Sequence, residues 1–201
     1  GIYIFTWEKL RAYLTADEAD KTSSNDFGKN IIPSMLNDGQ KMVAYNFEGY
    51  WKDVGTIESL WEANMDLLSQ PMPIDLHDKK WRIYAKNPGL PPHCTAKGAV
   101  VKDSLITEGG EIFGKVEHSV VFAGVTVEEG ASVIDAVVMP GAVIKRGAVV
   151  RRCIIAENAV VGAGALVGEE TGDIAVVGNG IQLPAGVTVK AGVQVDETTT
   201  F

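Results

Sequence analysis

Three spacings of apolar residues succeed one another along the chain. The first stretch mixes strand and helix patterns. Gly1-Ile2-Tyr3-Ile4-Phe5 is a β-branched and aromatic run that predicts a strand. Thr6 is then placed to cap a helix with Trp7, Leu10 and Leu14 at i, i+3 and i+7 and Glu8 in its first turn, ending near Leu14. The polar run Thr22 to Asp26 reads as a loop whose last residue caps a second helix. Ile31, Ile32, Met35 and Leu36 are its apolar positions, Gly39 closes it, and Pro33 is placed to kink it. Val43, Tyr45 and Phe47 alternate as in a strand over 41–47, and a turn follows through Gly55. Thr56 caps a third helix running to about Leu68, with Ile57, Leu60, Trp61 and Leu68 on one face. Strand, acid-bearing loop and helix in that order are α/β grammar.

From Ser69 the prolines at 71, 73, 88, 91 and 92 break any long element and predict a connection over 71–92, in which Trp81, Ile83 and Tyr84 form a short packed strand. Beyond Thr95 aromatic residues almost vanish and a period of six appears, clearest in the series Val137, Val143, Val149, Ile155, Val161, Val167. A small residue stands two places before every member except the first, where Asp135 stands. A branched aliphatic repeating behind a small residue suits a parallel β-helix, whose short strands each send a side chain inward at a tight corner. An α-helix is excluded, since a six-residue spacing walks around a 3.6-residue spiral. The phase breaks near 113–120, 134–137 and 168–180 predict loops or register slips.

Composition narrows the partners. A net charge of −8 repels a phosphate backbone, and the one basic cluster, Lys145, Arg146, Arg151 and Arg152, reads as a solvated edge able to receive at most a small anion. Cys94 and Cys153 lie far apart with no Cys or His at ligand spacing, which indicates neither a disulfide framework nor a zinc site. No apolar run reaches the ~18 residues that span a bilayer. A cytoplasmic protein without nucleic-acid or membrane partners is expected. A strand beginning at residue 1 without an initiator Met suggests a piece of a longer chain.

The chemistry-bearing residues are few. Asp53, beyond a strand and ahead of a helix, suits a hard cation such as Mg²⁺, which takes one or two protein oxygens and fills its shell with phosphate and water. On spacing alone an Asp there is more often a turn or cap residue. Asp26 reads from spacing first as a helix cap, and the same geometry with neighbouring amides can grip sugar hydroxyls. His93 and His118 invite comparison with the general base of hexapeptide acyltransferases, but neither has an adjacent motif, and they read as structural, as does His77 in the connection.

The runs 1–5, Ser23-Ser24-Asn25-Asp26-Phe27-Gly28-Lys29, Ile31-Ile32-Pro33, Gly49-Tyr50-Trp51-Lys52-Asp53-Val54-Gly55-Thr56-Ile57-Glu58-Ser59 and Trp61-Glu62-Ala63-Asn64-Met65-Asp66-Leu67-Leu68 follow one another as in bacterial ADP-glucose pyrophosphorylases. With the hexapeptide region, the resemblance covers nearly the whole chain. It implies an α/β fragment, the C-terminal part of a nucleotidyltransferase domain (residues 1–70), a linker (71–92) and a left-handed parallel β-helix of hexapeptide repeats (93–201). It also implies that Tyr3, Asp26, Phe27 and Trp51 line a glucose-1-phosphate pocket and that Asp53 helps hold Mg²⁺. The implied reaction joins glucose 1-phosphate to ATP, giving ADP-glucose and pyrophosphate for glycogen synthesis. The family's Gly-rich nucleotide loop, second metal-binding Asp and sugar-phosphate Lys have no counterpart in these 201 residues, so catalytic residues are expected upstream and the fragment alone should be inactive. The β-helix should serve assembly into a homo- or heterotetramer and contribute to a site for a small anionic allosteric effector. Asn25 stands where the family often has His. Two alternatives remain at this point: a noncatalytic regulatory or scaffold subunit, and a hexapeptide acyltransferase.

Overall fold

A computed structural model describes residues 1–85 and 88–200. Residues 86 and 87 of the expected linker and the last residue of the expected β-helix domain lie outside the described residues. The chain divides into two compact units, Gly1–Gly49 and a second beginning at Tyr50.

In the first unit α1 (Trp7–Ala19) starts where the pattern places it but runs five residues past Leu14, because Ala16, Glu18 and Ala19 favour helix as much as the residues before them. Thr6 takes the extended N-cap conformation without a side-chain cap bond. The second expected helix is a π-helical turn over Phe27–Ile31 leading into α2 (Ile32–Asn37). The wide turn has a cause in Pro33. Proline cannot donate to a preceding carbonyl and its ring crowds the turn before it, so the backbone opens just ahead of it. Gly39, with φ of 64°, ends the segment in the left-handed conformation expected there.

The strands expected over 1–5 and 41–47 are not formed, and neither is the one expected at 81–84. All three segments lack a ladder partner among the described residues. Ile4 is 99% exposed and Tyr45 87% exposed, and Trp81, Ile83 and Tyr84 are exposed as well. A β-rich pattern states a preference for a pleated, half-buried surface, and only a neighbouring strand supplies one.

Among the described residues the second unit contains a parallel solenoid of seventeen short strands on three faces. Face A stacks Cys94–Thr95, Glu111–Ile112, Thr126–Val127, Val143–Ile144 and Val160–Val161. Face B stacks Val100–Lys102, Lys115–Glu117, Ser132–Ile134, Val149–Arg151, Leu166–Val167 and Thr188–Val189. Face C stacks Leu105–Ile106, Val120–Val121, Val137–Val138, Cys153–Ile155, Ala175–Val177 and Gln194–Val195.

The register corrects the period of six. Thr126 pairs with Val143 and Val143 with Val160, so a coil spans 17 residues, one short of three hexapeptides. The missing residue is at the corner between faces B and C, where the inward Val133 and Val138, and likewise Val150 and Ile155, are five apart. The series beginning at Val137 therefore crosses two phases. Ile155, Val161 and Val167 do point into the core, but in the preceding coil the inward residues are Val138, Ile144 and Val150. In this register Ala136, Ala142, Ala148, Cys153, Ala159 and Ala165 stand two places before the inward residue, all essentially unexposed, and the Asp135 exception disappears. The break near 113–120 is a coil tightened further. Ile112 and Val116 are four apart, and a Cβ at Gly114 would collide with the carbonyl oxygens of Ala131 and Glu128. The break at 168–180 is an inserted loop at the B–C corner, after which six-residue spacing resumes through Val177, Leu183, Val189 and Val195.

The short B–C corner is built by left-handed residues that are not glycine: Asp103, His118, Asp135 and Arg152, with φ between 43° and 48°, one above another in successive coils. Each such residue costs about 1 kcal/mol relative to an ordinary conformation. The amides of His118, Asp135 and Arg152 donate to Lys102, Glu117 and Ile134 of the coil before, which holds the corner closed.

Cys153 fills one of the small corner positions and is fully buried, and burial pushes its thiol well above the ordinary range. Cys94 is exposed. An aromatic disulfide reagent should therefore titrate one thiol per native chain and two after denaturation; two fast thiols in the native protein would place Cys153 outside the core.

Candidate functional site

In the second unit α3 (Ile57–Asp66) begins with a reciprocal capping box. The Thr56 side chain accepts from the Ser59 amide at 3.1 Å, and the Ser59 hydroxyl accepts from the Thr56 amide at 3.0 Å. Its apolar face, Ile57, Leu60, Trp61 and Met65, lies against the outside of face C, on Val120, Val137, Ile154 and Ile174. Face C strands are apolar at both consecutive positions, as in Val120-Val121, Val137-Val138 and Ile154-Ile155, but so are Val143-Ile144 on face A and Val149-Val150 on face B, so the sequence pattern does not single out the face that α3 covers.

The segment from Tyr50 to Thr56 runs back along the opposite side of α3. The Tyr50 hydroxyl donates to the Asp66 carboxylate at 2.9 Å, and Lys52 Nζ sits 2.9 Å from Glu62 and 3.3 Å from Asp66. The hydrogen bond to Glu62 and those to Asp66 raise the lysine's pKa, while burial and the Asp66 carboxylate raise that of the Tyr50 phenol. Beside these two anchored residues, Trp51, Asp53 and Val54 are exposed. Trp51 is 58% exposed, and the Asp53 carboxylate has no hydrogen bond or ion pair to any described residue.

In the first unit Tyr3, Phe5 and Phe27 form an aromatic cluster with ring centroids 5.8 to 5.9 Å apart, Tyr3 and Phe27 being stacked within 11°. Asp26 does cap the helical turn. Its Oδ1 accepts from the Lys29 amide at 2.8 Å, and Asn30 accepts from the Asp26 amide at 3.2 Å. Asn25 before it is left-handed, a conformation asparagine tolerates well. Of the five residues singled out, Tyr3, Asp26 and Phe27 thus belong to the first unit, and Trp51 and Asp53 to the second. Among the described residues no cluster of three His, Cys, Asp or Glu side chains forms a metal cage.

The basic cluster is divided between two corners. Arg146 pairs with Glu129 at 3.1 Å, Arg151 pairs with Glu170, and Arg152 donates from Nε to the Gly172 carbonyl at 2.8 Å, so only Lys145 remains without a partner among described residues. His118 is held through Nδ1 by Asp135 at 2.6 Å, beside a cleft of about 450 Å³ lined by Leu67, Leu68, Gln70, Met72 and Leu105. His93 is exposed and takes no part in either arrangement. No helix among the described residues is long and apolar enough to cross a membrane.

Residues 1–70 match the nucleotidyl transferase family, and residues 92–189 match the GlmU-like C-terminal hexapeptide family. Over 140 residues the chain is 59% identical to proteins named glucose-1-phosphate adenylyltransferase from Bacillus cereus, Bacillus mycoides and Bacillus anthracis. In each case 70% of this chain and 37% of the relative are covered, so the chain spans little more than a third of the curated relatives it matches. A nucleotidyl transferase segment joined to a parallel hexapeptide solenoid, the chain is similar in sequence to the glucose-1-phosphate adenylyltransferases.

Proposed function

We propose that this chain is part of an enzyme that transfers the adenylyl group of ATP to glucose 1-phosphate, releasing pyrophosphate, and that it supplies the sugar-phosphate side of the site and one metal-holding carboxylate. The observation carrying the proposal is the Tyr50–Thr56 segment. Tyr50 and Lys52 are strapped to α3, while Trp51 and an unpartnered Asp53 are left exposed.

Asp53 fits Mg²⁺ as a hard, exposed oxygen donor with no competing cation within ion-pair distance among described residues, and one such carboxylate is enough when phosphate oxygens complete the shell. Bound there, the ion would neutralise charge on the reacting phosphates. The chain's own groups bind and orient. The Tyr3–Phe27 stack offers a flat apolar wall to a sugar ring. Asp26 spends Oδ1 on the Lys29 amide, which leaves Oδ2 to accept from a sugar hydroxyl. Held so, a phosphate oxygen of glucose 1-phosphate attacks the α-phosphorus of ATP; the new P–O bond forms as the bond to the β-phosphate oxygen breaks. Alignment and charge neutralisation supply most of the rate in such transfers.

In this reading the residues that hold ATP lie outside these 201, the chain alone is inactive, and the product feeds glycogen synthesis in the cytoplasm. The solenoid then serves subunit association, as a homo- or heterotetramer, and the response to a small anionic effector. The test is a coupled pyrophosphate-release assay with ATP and glucose 1-phosphate. The full-length protein should make ADP-glucose and the 201-residue chain should not; robust turnover by the chain alone, or none by the full-length protein, overturns the reading.

A further inference from the structure

A chain of contacts runs from the B–C corner of the solenoid to the segment that carries the exposed Asp53. At the corner, the Asp135 carbonyl accepts from Trp61 Nε1 at 2.8 Å. Arg152, in the next coil, lays its guanidinium 4.8 Å from the centre of the Trp61 ring and is tied by Nε to the Gly172 carbonyl of the inserted loop at 2.8 Å. Trp61 is thus clamped by backbone on one side and by a cation on its face, at the middle of α3. The same helix presents Glu62 and Asp66 on its far side, and these hold Lys52 and Tyr50.

Apolar packing on face C resists separation of α3 from the sheet, but non-directional contact alone specifies poorly how far the helix slides or rolls. A directed hydrogen bond and a stacked guanidinium fix those two freedoms. Arg152 has a backbone reason to be something else. Its φ of 44° is left-handed, where glycine is free of strain and asparagine or aspartate tolerates the turn, as Asp103 and Asp135 do in the same column. A long cation in that strained position, with its guanidinium against an indole, indicates that its side chain is what the position needs.

We infer that Trp61 and Arg152 are positioning residues: a latch by which the solenoid fixes α3 and, through Lys52 and Tyr50, sets where Trp51 and Asp53 point. The catalytic side of this inference rests on the function proposed above; the mechanical side does not.

The test uses the full-length protein and the variants Trp61→Phe, which keeps a ring but loses the indole N–H, and Arg152→Gln, which loses the cation. The first readout is amide hydrogen exchange. The amides of α3 should exchange about tenfold faster in both variants while strands of faces A and B keep wild-type protection, which also shows that the solenoid has folded. The second is turnover against Mg²⁺ concentration, where half-saturation should rise about tenfold, as when an outer-shell support of a metal ligand is removed. Unchanged exchange of the α3 amides overturns the latch. Faster exchange with wild-type turnover and Mg²⁺ dependence, when Asp53→Asn is inactive, overturns its role in positioning. Faster exchange together with an Asp53→Asn variant of normal turnover sustains the latch and sinks the functional reading instead.

Discussion

Asp53→Asn in the full-length protein should lower turnover with ATP and glucose 1-phosphate by about 10²–10³-fold at saturating Mg²⁺, a loss typical when a group stabilising transition-state charge is removed. The substitution keeps the shape and removes the charge. It should scarcely change stability, because the carboxylate is exposed and bonds to no described residue, and surface changes of this kind fall within about 0.5 kcal/mol. Lys52→Ala gives the contrast. It leaves Asp53 intact but frees the segment from Glu62 and Asp66, so its turnover loss should be smaller and accompanied by a weaker response to Mg²⁺. Steady-state rates across a Mg²⁺ series, with thermal melting of each variant, separate the two. Full activity in Asp53→Asn would remove the metal-holding role and favour a noncatalytic scaffold subunit.

That Tyr50 and Lys52 are held on α3 while Asp53 is left exposed could not have been read from the sequence. The partition depends on Lys52 and Tyr50 finding Glu62 and Asp66, ten to sixteen residues ahead, across a turn whose direction no local pattern encodes. The cap at Thr56 was legible, because a capping box is closed within four residues. The same division between local and distant holds for the fold. The helices were legible from apolar spacing, and two of their ends from Gly39 and Thr56, whereas α1 runs past the end its pattern gives. The segments 1–5 and 41–47 have the pattern of strands and remain unpaired, since a ladder needs a second strand that local pattern does not supply. The solenoid was legible as a repeat of inward aliphatics behind small corner residues, but its register was not. A run of valines on both faces of the strands let a series six apart pass through the five-residue corner at Arg152 without a visible break.

That register has a large energetic consequence. Ile144→Ala should destabilise the solenoid by about 3–4 kcal/mol, and Val143→Ala by less than about 1 kcal/mol, the reverse of what an unbroken series through Val143 gives. Ile144 is fully buried and stacks between Val127 and Val161 of the coils on either side, so truncation removes contacts to two neighbours and leaves a cavity that a stack of short strands cannot collapse to fill. Val143 lies on the outer side of the same strand, partly exposed, where loss of two methyl groups removes little buried area. Solenoid coils are stabilised largely through their neighbours, so a defect in a central coil weakens both halves of the stack and should appear in the cooperative unfolding transition. Urea denaturation followed by far-ultraviolet circular dichroism measures both losses on the same protein. Equal losses would mean that both side chains are buried; a larger loss for Val143→Ala would restore the strict six-residue phase and move Asp135 and Arg152 away from the corner that holds Trp61.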